Sequence, residues 1–347
     1  MATLKEIAAQ AGCSPSTVSI VMRGKAEERN ISESTARRVL EVAVKLGYQP
    51  NVAARRLRGS IGSDELQIAM FWAEDFRAGM MVRFWDGLRQ TLAQEKRGIR
   101  LTIIPYTNGS LHEMRALTGT SDFHAGIICN ASNEDLAFMR DTQLSIPVVL
   151  YNRTCEGYCS VNVDDSRMGV LAAQAILDRG CRTAAVMTGP AVFDGMDIRT
   201  QGFIHAFEAK GLPSPSVMLC RNGISGGYER ARELIAYTEE ISENAGMPGN
   251  TVLPEGILCG SSMIAHGVMR AFFEAGMTPE TMPKIIAVGN GMEEQDRYST
   301  PSLSVIRMPM EDMARACLRL LLELMEGKAA PGKRVLLETE YIGRESC

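Results

Sequence analysis

Between residues 66 and 326 the chain repeats one pattern. A short apolar run is followed by a turn signal and then by apolar residues at helical spacing. The runs are "LQIAMFW" 66–72, "RLTIIP" 100–105, "AGIIC" 125–129, "PVVLY" 147–151, "SVNV" 160–163, "TAAVM" 183–187, "SVMLC" 216–220, "EGILC" 255–259, "KIIAV" 284–288 and "LSVI" 303–306. Helical patterns lie at 80–96, 133–142, 166–179, 199–210, 227–243, 262–275 and 309–326. A parallel strand can reach its neighbour only through a crossover, so strands that alternate with helices predict parallel sheets covered by helices. Residues 64–347 are too many for one ordinary core, and two α/β subdomains divided near 163 are expected. "MPGNTVLPEG", 247–256, reads as a surface loop.

The first sixty residues are of another kind. They hold ten Lys and Arg against five Glu, a balance of +5, while the rest of the chain carries −9. A basic head on an acidic body predicts a polyanionic partner for the head alone. The chain as a whole, 45% hydrophobic and 22% charged, has the composition of a soluble globular protein. No apolar run approaches membrane-span length, and "MATLKEIAAQ" lacks a signal core, so a cytoplasmic protein is expected. Nine cysteines are scattered without a CxxC pair or a Cys/His metal spacing. Cys155 and Cys159 lie close in sequence, but with no histidine beside them all nine read as reduced thiols.

Within the head, Leu4, Ile7, Ala8 and Ala11 fall at helical spacing and Gly12 ends that helix. Ser14 is then a good N-cap and Pro15 a good first helical residue, so a second helix runs from Pro15 to about Met22. A third begins at Ser32, with Ala36, Val39, Leu40, Ala43 and Leu46 on one face and Gly47 as its stop. Two short helices about a tight turn, with a third to bury them, make a helix-turn-helix unit, whose second helix enters the DNA major groove. The outward positions are Pro15, Ser16 and Ile20, while Val18 and Val21 face the small core. Thr17 and Ser19 carry hydroxyls suited to phosphate oxygens. After Pro50, a segment with Arg55, Arg56, Leu57 and Arg58 is too short for a stable isolated helix, and Gly59-Ser60 and Gly62-Ser63 read as linker.

"TLKEIAAQAGCSPSTVSIVMRGK…ISESTARRVLEVAVKLGYQPNVAARRL" closely resembles the head of the lac repressor/galactose repressor family of bacterial transcription regulators. The resemblance is continuous over about the first sixty residues and adds Thr3, Arg23, Tyr48 and Asn51 to the DNA-facing set. It implies that the segment after Pro50 is a hinge helix ordered on the operator, with Leu57 as a wedge in the minor groove. Ile20 stands where the family often has a polar or basic side chain, and Arg23 where it has Asn. An isoleucine can pack on a thymine methyl but cannot hydrogen-bond a base. "VNVDDSRMGVLAAQAILDRGCRTAAVMTGP", 161–190, and "RTQGFIHAF", 199–207, carry the resemblance into the body.

The implied organisation is a helix-turn-helix head at 1–49, a hinge helix and linker at 50–63, and a two-subdomain, periplasmic-binding-protein-like core at 64–347. The chain is expected to cross between subdomains three times. The first would comprise about 64–163 and 291–326, the second about 164–290 and 327–347. A homodimer on a pseudo-palindromic DNA operator and a small-molecule effector between the subdomains are the implied partners.

Ligands of open α/β sheets sit beyond the carboxyl ends of the strands. Those ends are Glu74-Asp75-Phe76, Asn130, Asn152-Arg153, Asp164-Asp165, Asp194, Asn222, Ser261-Ser262 and Asn290, with Arg199 on a nearby helix. Phe76, Asn130, Arg153, Asp164, Arg199, Ser262 and Asn290 form the expected effector set, and Arg199 matches the family's effector arginine. Two departures stand out. Ser261-Ser262 replaces the family's Asn-Asp, and "GNGM", 289–292, replaces Gly-Phe-Asp. A serine supplies neither the charge nor the second oxygen of a carboxylate, so a cleft that keeps its arginines tilts toward an anionic effector.

Other classes fit poorly. "GISGG", 223–227, matches the GxSxG pattern around Ser225, yet no Asp lies between Ser225 and the one downstream histidine, His266. With four histidines and no Walker loop, dinucleotide fingerprint or metal cluster, neither an enzyme nor a cofactor is expected. A transport binding protein would share the body but not the basic head. The alternative within the same class is a DNA-binding regulator whose pocket no longer binds a sugar-like ligand.

Overall fold

A three-helix head and two six-stranded sheets account for the described residues of the computed structural model, namely 4–22, 26, 29, 31–46, 65–74, 80–95, 98–119, 121–245 and 253–347. The head contains α1 (Leu4–Ala11), α2 (Pro15–Val21) and α3 (Glu33–Lys45). All ten expected strands form: β1 (Leu66–Ala73), β2 (Ile99–Tyr106), β3 (Ala125–Cys129), β4 (Val148–Tyr151), β5 (Cys159–Val163), β6 (Ala184–Thr188), β7 (Ser216–Leu219), β8 (Gly256–Cys259), β9 (Lys284–Gly289) and β10 (Ser304–Arg307). Two more, β11 (Arg334–Leu337) and β12 (Tyr341–Ile342), were not anticipated.

The core helices are α4 (Met81–Gln94), α5 (Arg115–Thr118), α6 (Asn133–Asp141), α7 (Asp165–Asp178), α8 (Asp194–Glu208) and α9 (Ile224–Ala245). They are followed by α10 (Ser262–Glu274), α11 (Glu293–Tyr298) and α12 (Met310–Met325). None of the described helices is long and apolar enough to cross a membrane.

The first sheet has the order β11-β5-β4-β3-β1-β2 and is parallel throughout. The second has the order β12-β10-β9-β8-β6-β7 and is parallel except where β12 pairs antiparallel with β10. The central strands are continuous apolar runs because helices bury both their faces, and β1 is buried from Ile68 to Ala73. Trp72 of β1, Phe84 of α4 and Tyr151 of β4 form one aromatic cluster under the first sheet, with ring centroids 5.6 and 4.7 Å apart at Trp72–Phe84 and Phe84–Tyr151. Burying each such ring contributes roughly 1.5–3 kcal/mol.

Sheet membership moves two of the expected crossings. β10 lies in the second sheet, so the return to the first subdomain is at Met308–Pro309 rather than near 291. α12 then packs across β3, β4 and β5 and along α4. β11 lies in the first sheet, so the last crossing falls between Leu337 and Tyr341 rather than near 327. The physical reason is that sheet membership is set by the partner strand: β10 pairs with β9, the strand before it, and β11 pairs with β5, far away in the sequence, and nothing in their own residues encodes either choice. The chain leaves the first sheet after Val163, the end of β5, and α7 begins at Asp165.

Arg83 of α4 pins the middle crossing. Its Nε and Nη2 donate to the two carboxylate oxygens of Glu311 at 2.6 and 2.8 Å. Its Nη1 donates to the carbonyls of Gly289 and Gly291, both at 3.1 Å, and Nη2 also reaches the carbonyl of Met308 at 3.0 Å. Gly289 and Gly291 belong to the second subdomain, so one guanidinium from the first holds both the connector and the neighbouring strand end. Gly87, one turn on, lets α4 and α12 touch: a Cβ there would lie 2.2 Å from the Glu311 carbonyl oxygen.

Candidate functional site: the head and the interdomain cleft

Ile7, Ala8 and Ala11 of α1, Val18 and Val21 of α2, and Val39 and Ala43 of α3 bury together as the core of the head. Leu40, expected on that face, is instead 49% exposed, because the narrow stripe through Val39 and Ala43 already fills the space between three short helices. Ser14 caps α2 as the sequence implied, its Oγ accepting from the Thr17 amide at 3.0 Å. Pro15 and Ser16 are exposed, and Thr17, Ser19 and Ile20 are partly so, leaving the first turn of α2 open to a groove. The Thr17 hydroxyl is bonded to Ser14 Oγ at 2.9 Å, so it serves the cap before it serves a phosphate. Thr3, Arg23, Tyr48, Asn51, Arg55, Arg56 and Leu57, and Phe76 of the effector set, lie outside the described residues.

In the core, the other expected residues fall into separate local clusters: Arg153 with Phe193, Arg199 with Asp165, and Ser262 with Asn290 and Asp296. Asn130 and Asn152 follow β3 and β4 with φ of 63° and 49°, a left-handed backbone that asparagine tolerates better than most side chains. Such positions turn the chain sharply at the strand end. Arg153, buried, donates from Nε to the Ala131 carbonyl at 2.6 Å and from Nη1 to the Asn152 carbonyl at 2.5 Å. Its guanidinium carbon sits 3.5 Å from the centroid of Phe193, which precedes α8 in the other subdomain. A second contact crosses beside it, Asn133 Nδ2 donating to Asp194 Oδ1 at 2.9 Å. Arg153 is therefore a brace between the subdomains, and neither it nor Phe193 could be assigned that part from sequence spacing.

Arg199 is buried on α8. Its Nη2 donates to Asp165 Oδ1 at 2.5 Å, and its Nε is buried with no hydrogen-bond partner. Helices α7 and α8 cross closely enough to fix this pair, for a Cβ on Gly169 would lie 2.1 Å from the Arg199 carbonyl oxygen. Asp164 is exposed and caps α7, accepting from the Arg167 amide at 2.9 Å. That bond occupies one of its oxygens in holding the helix.

Ser262 opens α10 and is 1% exposed. Its hydroxyl donates to Asp296 Oδ2 at 2.9 Å, and its amide faces Asn290 Oδ1 at 3.4 Å. Asp296, on α11 and 2% exposed, also meets His266 Nε2 at 3.1 Å through its other oxygen. The carboxylate that the Ser261-Ser262 and "GNGM" departures removed from the strand ends is thus supplied from one turn further along the chain. Asp296 sits inside the acidic run "EEQD", which reads as a solvated helix start, and only its burial identifies it.

The surplus of positive charge expected in the cleft is not there. Arg153 is braced against carbonyls and a ring, Arg199 is paired with Asp165, and Asp296 backs Ser262. Catalytic arrangements are also missing among the described residues. Ser225 is exposed on the first turn of α9 and hydrogen-bonds no histidine, while in the Ser262–Asp296–His266 chain the carboxylate, not the imidazole, meets the serine. Burial pushes the Cys129, Cys259 and Cys317 thiols well above their ordinary range, which leaves little thiolate for chemistry. Cys155 and Cys159 bond different carbonyls, Leu136 and Ala330, and do not act as a pair.

Residues 3–51 match the family described as bacterial regulatory proteins, lacI family, and residues 173–347 match the periplasmic binding protein-like domain. The ribose operon repressor of Bacillus subtilis is 26% identical over 348 residues, covering 100% of this chain and 98% of that one. A LacI family transcription regulator of known structure from Clostridium acetobutylicum superposes with a TM-score of 0.73 at 28% identity, over 80% of this chain and 99% of that one. The lac repressor dimer bound to operator and the anti-inducer ONPF superposes with a TM-score of 0.65 at 18% identity, over 99% of this chain and 98% of that one. With a helix-turn-helix head whose recognition helix is capped and open to solvent, and a two-sheet core with an effector cleft, the chain belongs to the lacI family of bacterial regulatory proteins and is a DNA-binding transcription regulator.

Proposed function

We propose that the chain is a cytoplasmic repressor and not an enzyme, that it binds a pseudo-palindromic operator as a homodimer, and that a neutral, hydroxyl-rich small molecule in the cleft sets its operator affinity. A single head reads too few base pairs for specificity, and two-fold symmetry supplies a second half-site. The observation that carries the effector class is the state of the cleft arginines. Arg199 keeps a buried Nε–H donor beside Asp165, and the Asp296-backed Ser262 oxygen is left to accept. A donor and an acceptor on a near-neutral wall suit a sugar hydroxyl, which is both, better than a phosphate. The relative named as a ribose operon repressor is consistent with that class. The effector shifts DNA affinity only by its differential affinity for the two core arrangements.

Calorimetry with a panel of neutral pentoses and hexoses, their phosphates and nucleosides tests this reading. A neutral sugar should bind, and Arg199→Ala should weaken it by about tenfold or more. Binding restricted to phosphorylated or carboxylated members would overturn the effector class. Binding of none would replace it with the regulator that has lost its effector response.

A further inference from the structure

A second cavity lies at the opposite end of the second subdomain from the cleft. Arg230, Leu234, Tyr237 and Thr238 of α9 fall on one face of that helix and line the cavity. The sheet ends there because β7 is the outermost strand and pairs only with β6. The helix face and the Ser216–Met218 face of β7 therefore enclose a cavity of about 620 Å³ that no other described strand fills. That volume is in the range of pockets for small organic ligands. The cavity sits at the amino ends of β6 and β7, marked by Thr183 and Ser214, whereas Arg199 and Ser262 belong to the carboxyl-end cleft.

The lining is apolar at Met218, Leu234 and Tyr237, and two charged groups, Arg230 and Glu233, reach it as an ion pair. Arg230 gives Nη1 to Glu233 Oε2 at 2.6 Å, while its Nε is buried and has no hydrogen-bond partner. An unpaired buried donor carries a standing desolvation penalty that a ligand acceptor would remove. Nε–H lies on the guanidinium edge that receives a carboxylate through two parallel bonds. Glu233 occupies the remaining nitrogen and, being acidic, disfavours a dianion such as phosphate. Tyr237, 60% exposed, offers a ring face at the rim.

We propose that this cavity is a second small-molecule site, for a monocarboxylate carried on a flat apolar body. The acid meets the Nε edge of Arg230, and the body lies against Met218, Leu234 and Tyr237. The site is independent of the sugar reading of the cleft.

Indole-3-acetate and its neutral amide, indole-3-acetamide, are the probes, titrated calorimetrically into the full chain. One acetate should bind per chain, about tenfold more tightly than the amide. Arg230→Gln should remove that preference, and Ser216→Trp should block both probes by filling the cavity. Arg199→Ala, in the cleft, should change nothing. Circular dichroism and melting curves confirm that each variant folds. Equal affinity for acetate and amide, loss of binding in Arg199→Ala, or no saturable binding by the wild-type chain below ~5 mM, about −3 kcal/mol, would each overturn the proposal.

Discussion

Arg83→Met should be among the most damaging single changes in the core. Methionine keeps the stem but removes every donor that Arg83 extends to Glu311, Gly289, Gly291 and Met308. The Gly289 and Met308 carbonyls are buried, so each loses its partner at a cost of about 1 kcal/mol. Glu311 is left half-buried without its counter-charge, a loss of about 3 kcal/mol, the lower end for a broken buried pair because its side chain keeps 25% exposure. The total of about 5 kcal/mol is comparable with the whole stability of a marginal domain. Urea unfolding followed by tryptophan fluorescence reports it directly, since Trp72 and Trp85, the only two tryptophans, both lie in the first subdomain. Replacing both partners, Arg83→Met with Glu311→Leu, should recover about 3 kcal/mol, because no charge is then stranded. A loss below about 1 kcal/mol in Arg83→Met would show that the cluster behaves as a surface ion pair. The same contact has a pH signature. Burial pushes the Glu311 carboxyl up, but the Arg83 hydrogen bonds and charge outweigh it and hold the group below the usual carboxylate range. Its contribution is therefore present in full above the unfolded pKa and disappears as pH falls through the lower folded value. Glu311→Gln should flatten that acid limb.

Ser14→Ala removes the cap of α2 and should destabilise the head by about 1 kcal/mol, read as faster hydrogen exchange of the Thr17 amide; unchanged exchange would deny the cap its importance. Phe193→Ala removes the ring that faces Arg153 across the cleft, and should widen the angle between the subdomains in small-angle scattering. An identical scattering curve would mean that Asn133–Asp194 and the three connectors hold the angle without the ring.

Much of the architecture is legible in the residues because parallel strands buried on both faces have to be apolar runs. That is why β1, β3, β4, β6, β8 and β9 stand out. The Ser14-Pro15 start of α2 is legible for an equally local reason, a cap and a fixed φ in adjacent positions. β11, "RVLL", is short and lies at a sheet edge with Leu336 exposed, so its pattern carries little signal, and β12 has only two residues. The crossing at Met308–Pro309 was misplaced because membership of a sheet is decided by the partner strand. Site residues divided in the same way. Asn130 and Ser262 sit at a strand end and a helix start, whereas the helix expected to open at Arg199 begins at Asp194 and carries Arg199 in its second turn. Asp296 and Arg83 lie on helices where a charged side chain reads as solvent-facing, and only packing against α10 and α12 reveals what they hold. Arg153 was expected in the effector set, and its part as a brace depends on Phe193, forty residues away in the sequence.

The three connectors between the subdomains, at Val163–Asp165, Met308–Pro309 and Leu337–Tyr341, also act as a mechanical element. One connector would be a ball joint, leaving the two bodies free to swivel. Three connectors, one of them fastened on both sides by Arg83, act as a flexure: they resist twist and separation and leave opening and closing as the soft direction. A cut in any one connector would leave the bodies joined but restore the swivel. A change at the cleft would then travel through the core as a single angle rather than a spread of orientations, because the other motions have been taken away.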